Sequence, residues 1–329
     1  MASPNAPEIV MTGPLMAYAA DQLKERFVVH ELWKAADRDA FLAEIAGRVR
    51  GVAAGGGHAR VDAALFDALP KLEIVSSFGV GYDHVDAAEA GRRGLVVTNT
   101  PDVLTDEVAD LAIGLLLATV RQIPQVDRYL REGHWLKGAY PLTTSLRKRK
   151  VGIVGLGRIG KAVAHRIEAF GLPVAYHGRS RQSDVAYRYY PSLVEMAADV
   201  DTLISVAPGG ASTHHIINGQ VLKALGPDGI LINVGRGTVV DEAALIAALA
   251  DKTILSAGLD VFEDEPRVPA ELIAMDHVVL LPHVGSASVH TREQMGQLVV
   301  DNLASWFAGQ GARTPVPETP VPPASGKAG

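Results

Sequence analysis

The sequence predicts an α/β protein made of two doubly wound, parallel-sheet units. Three observations carry this expectation. Short apolar runs alternate with helical patterns through the first hundred or so residues, and the same alternation restarts at Lys150. Two long helical patterns, at about 105–119 and 288–308, fit neither series of crossovers. A glycine-rich turn, VGIVGLGRIG at 151–160, stands where the second series begins. Strands that alternate with helices imply parallel pairing with both sheet faces covered. A chain of 329 residues is long enough for two such units at roughly 150 residues each. Its apolar share of 48% and charged share of 21% are ordinary for a folded chain, so long disorder is expected only at the ends.

In the first series, strands are expected at 27–29, 51–54, 73–76 and 94–97, with helices at 39–49, 61–69 and 85–93. In the second, strands are expected at 151–154, 174–176, 202–206, 230–234, 256–259 and 278–281. The two long helical patterns lie where one unit meets the other and are read as bridges. The first domain then comprises 1–103 completed by 288–313, and the second comprises 104–287. Segment 122–150 precedes the glycine turn and ends in Arg147-Lys148-Arg149-Lys150, a basic run read as a solvated turn ahead of a strand. The end, 314–329, is Pro-rich and expected to be an extended, mobile tail.

Composition excludes several functions. With no cysteine there is no disulfide framework, thiolate metal site or thiol nucleophile, which suits a reducing, cytoplasmic setting. No metal site is expected. A net charge of -6, without a basic stripe, argues against nucleic acid as a partner. The most apolar stretch, 111–120, is too short for the ~20 residues a membrane span needs, and the first residues lack the pattern of a secretory leader.

The glycine turn has a specific physical reading. Gly155 permits a tight turn after the strand, Gly157 lets backbone approach a pyrophosphate, and Gly160 allows helix to pack closely on strand. The helix that follows presents free N–H groups and its positive dipole end to the phosphates. A dinucleotide cofactor is therefore expected. NAD-binding chains usually end the next strand with an acidic residue for the ribose 2′-hydroxyl. Here that position is Gly178, followed by Arg179, Ser180 and Arg181. Two guanidiniums and a hydroxyl suit a 2′-phosphate, so NADP(H) is expected to be preferred, with NAD(H) possible.

Six stretches resemble the D-isomer-specific 2-hydroxyacid dehydrogenase family, in its glyoxylate/hydroxypyruvate and hydroxyphenylpyruvate reductase branch. They are SFGVGYDHVD (77–86), TPDVLTDEVADLAIGLLL (100–117), VGIVGLGRIG (151–160), INVGRGTVVDEAAL (232–245), GLDVFEDEP (258–266) and LPHVGSAS (281–288). The resemblance implies two Rossmann-like domains, the discontinuous one flavodoxin-like and substrate-binding, with the active site in the cleft between them. It implies that Arg236 binds substrate, His283 donates the proton and Glu265 pairs with His283. The chemistry suits these residue types. A planar guanidinium grips the adjacent carboxylate and carbonyl of a 2-keto acid, and a protonated imidazole supplies a proton as hydride arrives. Glu263 and Asp264 neighbour Glu265, and pattern alone leaves Glu263 as an alternative to it.

The resemblance implies further contacts. The N–H groups of Val80 and Gly81 would hold the substrate carboxylate, and the loop carrying Gly55, Gly56 and Gly57 would lie near the substrate. Thr105 would approach the nicotinamide side. Leu156, Gly157, Arg158 and Ile159 would line the pyrophosphate. Val206, Ala207, Pro208 and Thr213 would follow the adenosine pocket. Val234, Gly235, Asp260 and Gly285 would lie toward the nicotinamide and its ribose. In related reductases, segment 122–150 forms an arm across a two-fold dimer. A homodimer is therefore expected, with Trp135 either reaching the partner's site or anchoring the interface. The implied reaction is NADPH-dependent reduction of a small 2-keto acid to the D-2-hydroxy acid. An NAD-dependent D-3-phosphoglycerate-type enzyme is disfavoured by Arg179 and by the absence of a further domain after the second long helix. A nucleotide-sensing scaffold is disfavoured because all three catalytic positions are filled.

Overall fold

The computed structural model describes residue 3 and residues 5–55 and 59–319. Gly56 and Gly57 of the expected substrate loop lie outside the described residues. Contacts divide the chain into two units, one of residues up to 104 together with those from 288 onward, the other of residues 105–287.

The first unit contains β1 (Glu8–Met11), α1 (Ala17–Arg26), β2 (Val28–Glu31), α2 (Arg38–Ile45), β3 (Val49–Ala54), α3 (Ala63–Ala68), β4 (Ile74–Ser77), α4 (Ala87–Arg92) and β5 (Val96–Thr98). Its five strands are parallel, in the order β2-β1-β3-β4-β5. This is the flavodoxin-like doubly wound order, with its reversal at β1/β3. Side chains of Asp37, Asp62 and Asp86 cap α2, α3 and α4, accepting from backbone N–H groups in the first turn of each helix.

The second unit contains α5 (Thr105–Arg121), α6 (Ile123–Arg131), β6 (Val151–Val154), α7 (Arg158–Ala169), β7 (Val174–His177), β8 (Arg188–Tyr190), α8 (Leu193–Asp199), β9 (Thr202–Ser205), α9 (Gly219–Leu225), β10 (Ile230–Asn233), α10 (Glu242–Ala250), β11 (Ser256–Leu259), α11 (Ala270–Ile273) and β12 (Val279–Leu280). Its seven parallel strands run β12-β11-β10-β9-β6-β7-β8, so the winding reverses between β6 and β9. Strands β6, β9, β10 and β11 are buried throughout, as both-faces-covered strands must be. α5 packs on α7 and β11, and buries Val108, Ala112, Leu115 and Leu116. The chain then returns to the first unit as α12 (Val289–Phe307), which packs on α1 and β4.

Four expectations need correction. Strands β1 and β8 carry no signal that marked them as strands. β1 is four residues and almost wholly buried, so it shows no alternation, and β8 is a polar three-residue edge. The helix expected over 39–49 ends at Ile45, because Val49 already begins the buried β3. The basic run is not all solvated. Arg149 is buried, and its guanidinium bonds the carbonyls of Ser145, Asp201 and Asp228 and the hydroxyls of Thr144 and Thr202. Carbonyl-rich loop ends give one guanidinium enough acceptors to be buried.

The start of the tail is the fourth correction, while 320–329 lie outside the described residues. Residues 314–319 are docked, not free. Pro315 bridges Thr98, Val316 is buried, and the Thr319 hydroxyl meets both the N–H and the carbonyl of Val97. Asn302, buried in α12, accepts from the N–H groups of Arg313 and Thr314. The segment thus satisfies the free edge of β5, which a composition-based reading of prolines does not register.

Candidate active site

Open α/β sheets bind ligands beyond the carboxyl ends of their strands, where the winding reverses. In the second unit that place is the pair of loops after β6 and β9. Gly155 leaves β6 at φ +95°, a conformation that excludes ordinary side chains, and a Cβ there would press on Ala207. At Gly160 a Cβ would collide with the Gly155 carbonyl, so only glycine lets α7 start so near the strand. At Gly157 a Cβ would meet nothing of the protein within 4 Å, so the backbone is open to a ligand. Asp or Ser side chains and Asn218 cap α8, α9, α10 and α12, but Gly157 offers α7 no capping side chain. The N-terminus of α7 is thus available to an anion such as a pyrophosphate. Leu156 is buried there, while Arg158 is exposed and Ile159 half-buried.

The loop after β7 is held beside this turn. The buried Tyr176 hydroxyl accepts from the Gln182 N–H at 2.7 Å, and the Gln182 amide donates to the Leu156 carbonyl at 2.7 Å. The Tyr189 hydroxyl donates to the Gly178 carbonyl. Arg179, Ser180 and Arg181 stand exposed between these anchors, and neither guanidinium meets a carboxylate among the described residues. The residues present therefore fit a dinucleotide with a 2′-phosphate. After β9, Val206 donates its N–H to Val154, Ala207 is buried, and the Thr213 hydroxyl bonds the Pro208 carbonyl at 2.6 Å, shaping the loop. Thr105 opens α5.

The three residues expected to be catalytic follow β10, β11 and β12. Asn233, at the end of β10, folds its side chain over the next turn. It accepts from the N–H of Gly235, next to Val234, and donates to the carbonyl of Arg236. The half-buried Arg236 donates to the Gly235 carbonyl at 2.7 Å. Gly237 lies so close to Phe262 that a Cβ would overlap its backbone, and this sets the Arg236 turn against the loop carrying Glu265. Glu265 accepts from the Phe262 N–H through Oε1 and meets His283 Nδ1 through Oε2 at 2.6 Å. Burial pushes the Glu265 carboxyl up. The His283 hydrogen bond, the Phe262 N–H and the charges of His283 and Arg236 outweigh burial and hold it below the usual carboxylate range.

Glu263 is engaged elsewhere. It pairs with His215 Nε2 at 2.9 Å, and the His215 ring stacks on His214. His283 itself has φ +53°, an uncommon conformation for a residue with a side chain. Asp260 compensates for it. Its carbonyl accepts from the His283 N–H, and its two carboxylate oxygens accept from the N–H groups of Val284 and Gly285. Burial raises the Asp260 carboxyl above its usual range, against the pull of these two N–H groups and the His283 charge. Sequence reasoning placed Asp260 toward the cofactor and did not see that it shapes the His283 turn. The roles of Asn233 and Gln182 were missed as well. Both sit within or beside motifs already singled out, and that is the only signal the sequence offers for them.

In the first unit, Gly55, Val80 and Gly81 follow β3 and β4. Gly79 exchanges bonds with Thr100, accepting its N–H and donating to its hydroxyl, and the Asn99 amide donates to the Val80 carbonyl. Among the described residues the N–H groups of Val80 and Gly81 meet no acceptor, the condition for a backbone anion nest. A separate, polar cavity of about 330 Å³ lies along α6, lined by Gln122, Arg128, Tyr129, His134, Tyr140 and His277.

Comparison with known proteins gives a consistent picture. The family model for the NAD-binding domain of D-isomer specific 2-hydroxyacid dehydrogenases matches residues 113–285. A hydroxyphenylpyruvate reductase of Plectranthus scutellarioides is 51% identical, over 94% of this chain and 98% of that protein. A glyoxylate/hydroxypyruvate reductase of Arabidopsis thaliana is 47% identical, over 94% and 98%. The crystal structure of an NADPH-dependent glyoxylate/hydroxypyruvate reductase from Sinorhizobium meliloti, in complex with NADP and malonate, superposes with a TM-score of 0.90. It is 51% identical and covers 96% of this chain and 98% of that one.

Proposed function

The chain belongs to the D-isomer-specific 2-hydroxyacid dehydrogenase family, and we propose that within it this enzyme reduces small 2-keto acids to D-2-hydroxy acids with NADPH. The observation that carries this reading is the Glu265–His283 pair. With Nδ1 bonded to a carboxylate at 2.6 Å, the imidazole is fixed and its proton-donating position is Nε2. Bound NADPH supplies the hydride to the carbonyl carbon. His283 donates the proton from Nε2 to the carbonyl oxygen, and the Arg236 guanidinium stabilises the charge that develops there. Arg236 also grips the substrate carboxylate, and within the first unit the N–H groups of Val80 and Gly81 offer an anion nest of their own. Gly155, Gly157, Gly160 and the open end of α7 would hold the pyrophosphate, and Arg179, Ser180 and Arg181 the 2′-phosphate.

The test is NADPH oxidation by the purified protein with glyoxylate, hydroxypyruvate and 4-hydroxyphenylpyruvate, repeated with NADH. Turnover with a keto acid and a higher kcat/KM with NADPH supports the reading. Absence of turnover with all three acids overturns it.

The same proposal includes a homodimer. Support comes from exposed apolar side chains on and after α6: Ile123, Val126 and Leu130 at helical spacing, then Trp135, Leu136 and Leu142. A Leu130→Glu variant should sediment as a monomer if this face is the interface.

A further inference from the structure

The loops after β9 and β11 both belong to the second unit, and both carry side chains that the mechanism above does not use. Among the described residues, His214, His215 and Glu263 bring one donor atom each within 4.8 Å of one another. The two imidazoles come from adjacent residues, which in extended chain point to opposite sides. Here His215 has φ +51°, and the two rings stack at 3.8 Å between centroids with 26° between their planes. His215 Nε2 meets Glu263 Oε1 at 2.9 Å. His214 and Glu263 are exposed and His215 is half-buried, so an ion in solution can reach all three.

The backbone beneath this group is fixed from both sides by the turn Gly237–Val239. The His215 N–H donates to the Thr238 carbonyl at 2.9 Å, and the Ile217 N–H donates to the Val239 carbonyl. Gly237 lies against the backbone of Phe262 and Glu263, and Phe262 is buried. The Glu263 N–H donates to the Glu242 carboxylate at 3.0 Å, which adds negative charge that favours a cation. One turn therefore sets the spacing of His215 and Glu263, and His214 adjoins His215. A tetrahedral zinc ion takes imidazole nitrogens and carboxylate oxygens at about 2.0–2.2 Å, so its donors stand about 3.4 Å apart. Side-chain rotation alone closes the donors to that spacing. The absence of cysteine excludes a thiolate centre and leaves open one built from imidazole and carboxylate.

We propose that His214, His215 and Glu263 bind a divalent cation of the zinc class, with water in the remaining position, and that the bound ion pins the loop after β9 to the loop that carries Glu265. Coordination replaces the proton shared by His215 Nε2 and Glu263 Oε1, and that proton goes to solvent. No step of the proposed reduction runs through the ion. The inference stands apart from the function proposed above, since it is read as metal bound rather than as turnover.

The experiment titrates Zn²⁺ into the tag-free, chelator-treated full chain by isothermal calorimetry and follows Tm with and without the ion. The wild type is expected to bind about one ion per chain. Its Tm should rise, because an ion that binds the folded chain in preference to the unfolded one stabilises it. His214→Ala and Glu263→Gln should each weaken binding at least about 10-fold and remove the rise in Tm. Both positions are exposed, so the metal-free variants should melt close to the metal-free wild type. His283→Ala should bind zinc as the wild type does, which separates this group from the Glu265–His283 pair. Absence of binding by the wild type, or undiminished binding by both ligand variants, overturns the inference. Loss of binding in His283→Ala also overturns it, since the ion then sits on the catalytic pair. All three outcomes leave the proposed function standing, which NADPH oxidation in the presence of chelator tests separately.

Discussion

The two units share an architecture and differ in what they place at the sheet edge. Both are parallel and doubly wound, and both reverse their winding beside the strand nearest the glycine-bearing loops. The second unit ends β10, β11 and β12 in turns that carry Arg236, Glu265 and His283. The first unit ends β4 in a loop where the N–H groups of Val80 and Gly81 meet no acceptor among the described residues, with Arg292 over the Phe78 ring that precedes it. One unit supplies titratable side chains, and the other supplies fixed donors. The common scaffold thus determines where a ligand can sit, and the loop residues determine whether that place reacts or recognises.

The comparison can be broken by substitutions in each unit. The largest effect is expected in the second. His283→Ala should lower kcat about 10³-fold, the midrange contribution of a general acid, with NADPH affinity unchanged by fluorescence titration. A comparable kcat loss from a first-unit variant such as Arg292→Met would erase the division of labour.

Glu265→Gln should cost less, about 10- to 100-fold in kcat, because the imidazole remains and only its charged partner is lost. It should also change the acid response. The wild-type carboxyl is held below the usual range, so its contribution to stability is fully present above its unfolded value. That contribution disappears as pH falls through the lowered folded value. Acid unfolding followed by circular dichroism should therefore show a shallower loss of stability in Glu265→Gln across that window. Identical acid profiles would mean the pair is not stabilising.

Cofactor choice sharpens the picture within the second unit. Arg179→Ala combined with Arg181→Ala should reduce the ratio of kcat/KM for NADPH over NADH about 10- to 100-fold while NADH kinetics change little. An unchanged ratio would show that these side chains do not meet the 2′-phosphate.

The smallest effect on catalysis is expected from the strap of residues 314–319. Val316→Ala should destabilise the protein by about 1–3 kcal/mol through lost burial, seen as a lower Tm by calorimetry. Its kcat should stay close to that of the wild type. The Tyr82 hydroxyl, pushed up to about 12 by burial and the neighbouring Glu318 carboxylate, links this strap to the loop after Gly81. A large kcat loss in Val316→Ala would mean that the strap governs chemistry as well as stability.

Much of the candidate site was legible because its signals are local. Gly155, Gly157 and Gly160 act on a turn and a helix within ten residues, and the Arg179–Arg181 loop follows at a fixed distance. Glu265 and Glu263 were harder to separate. They are two residues apart, and only contacts with His283 and His215, distant in sequence, distinguish them. Arg149 was misread for a similar reason, since the carbonyls that bury it come from loops around residues 201 and 228.

By itself the sequence determined the alternation of strands and helices, the phosphate-binding turn and the residue types available for chemistry. Each follows from periodicity or from backbone freedom over a few residues, and those are local properties of a chain. Tertiary structure alone decided which acid meets His283, that Asp260 bonds the N–H groups following it, that the Pro-rich segment closes the edge of β5, and that Arg292 stands over Phe78. Each of these depends on packing between segments far apart in sequence, where burial removes the water that would otherwise satisfy the same groups.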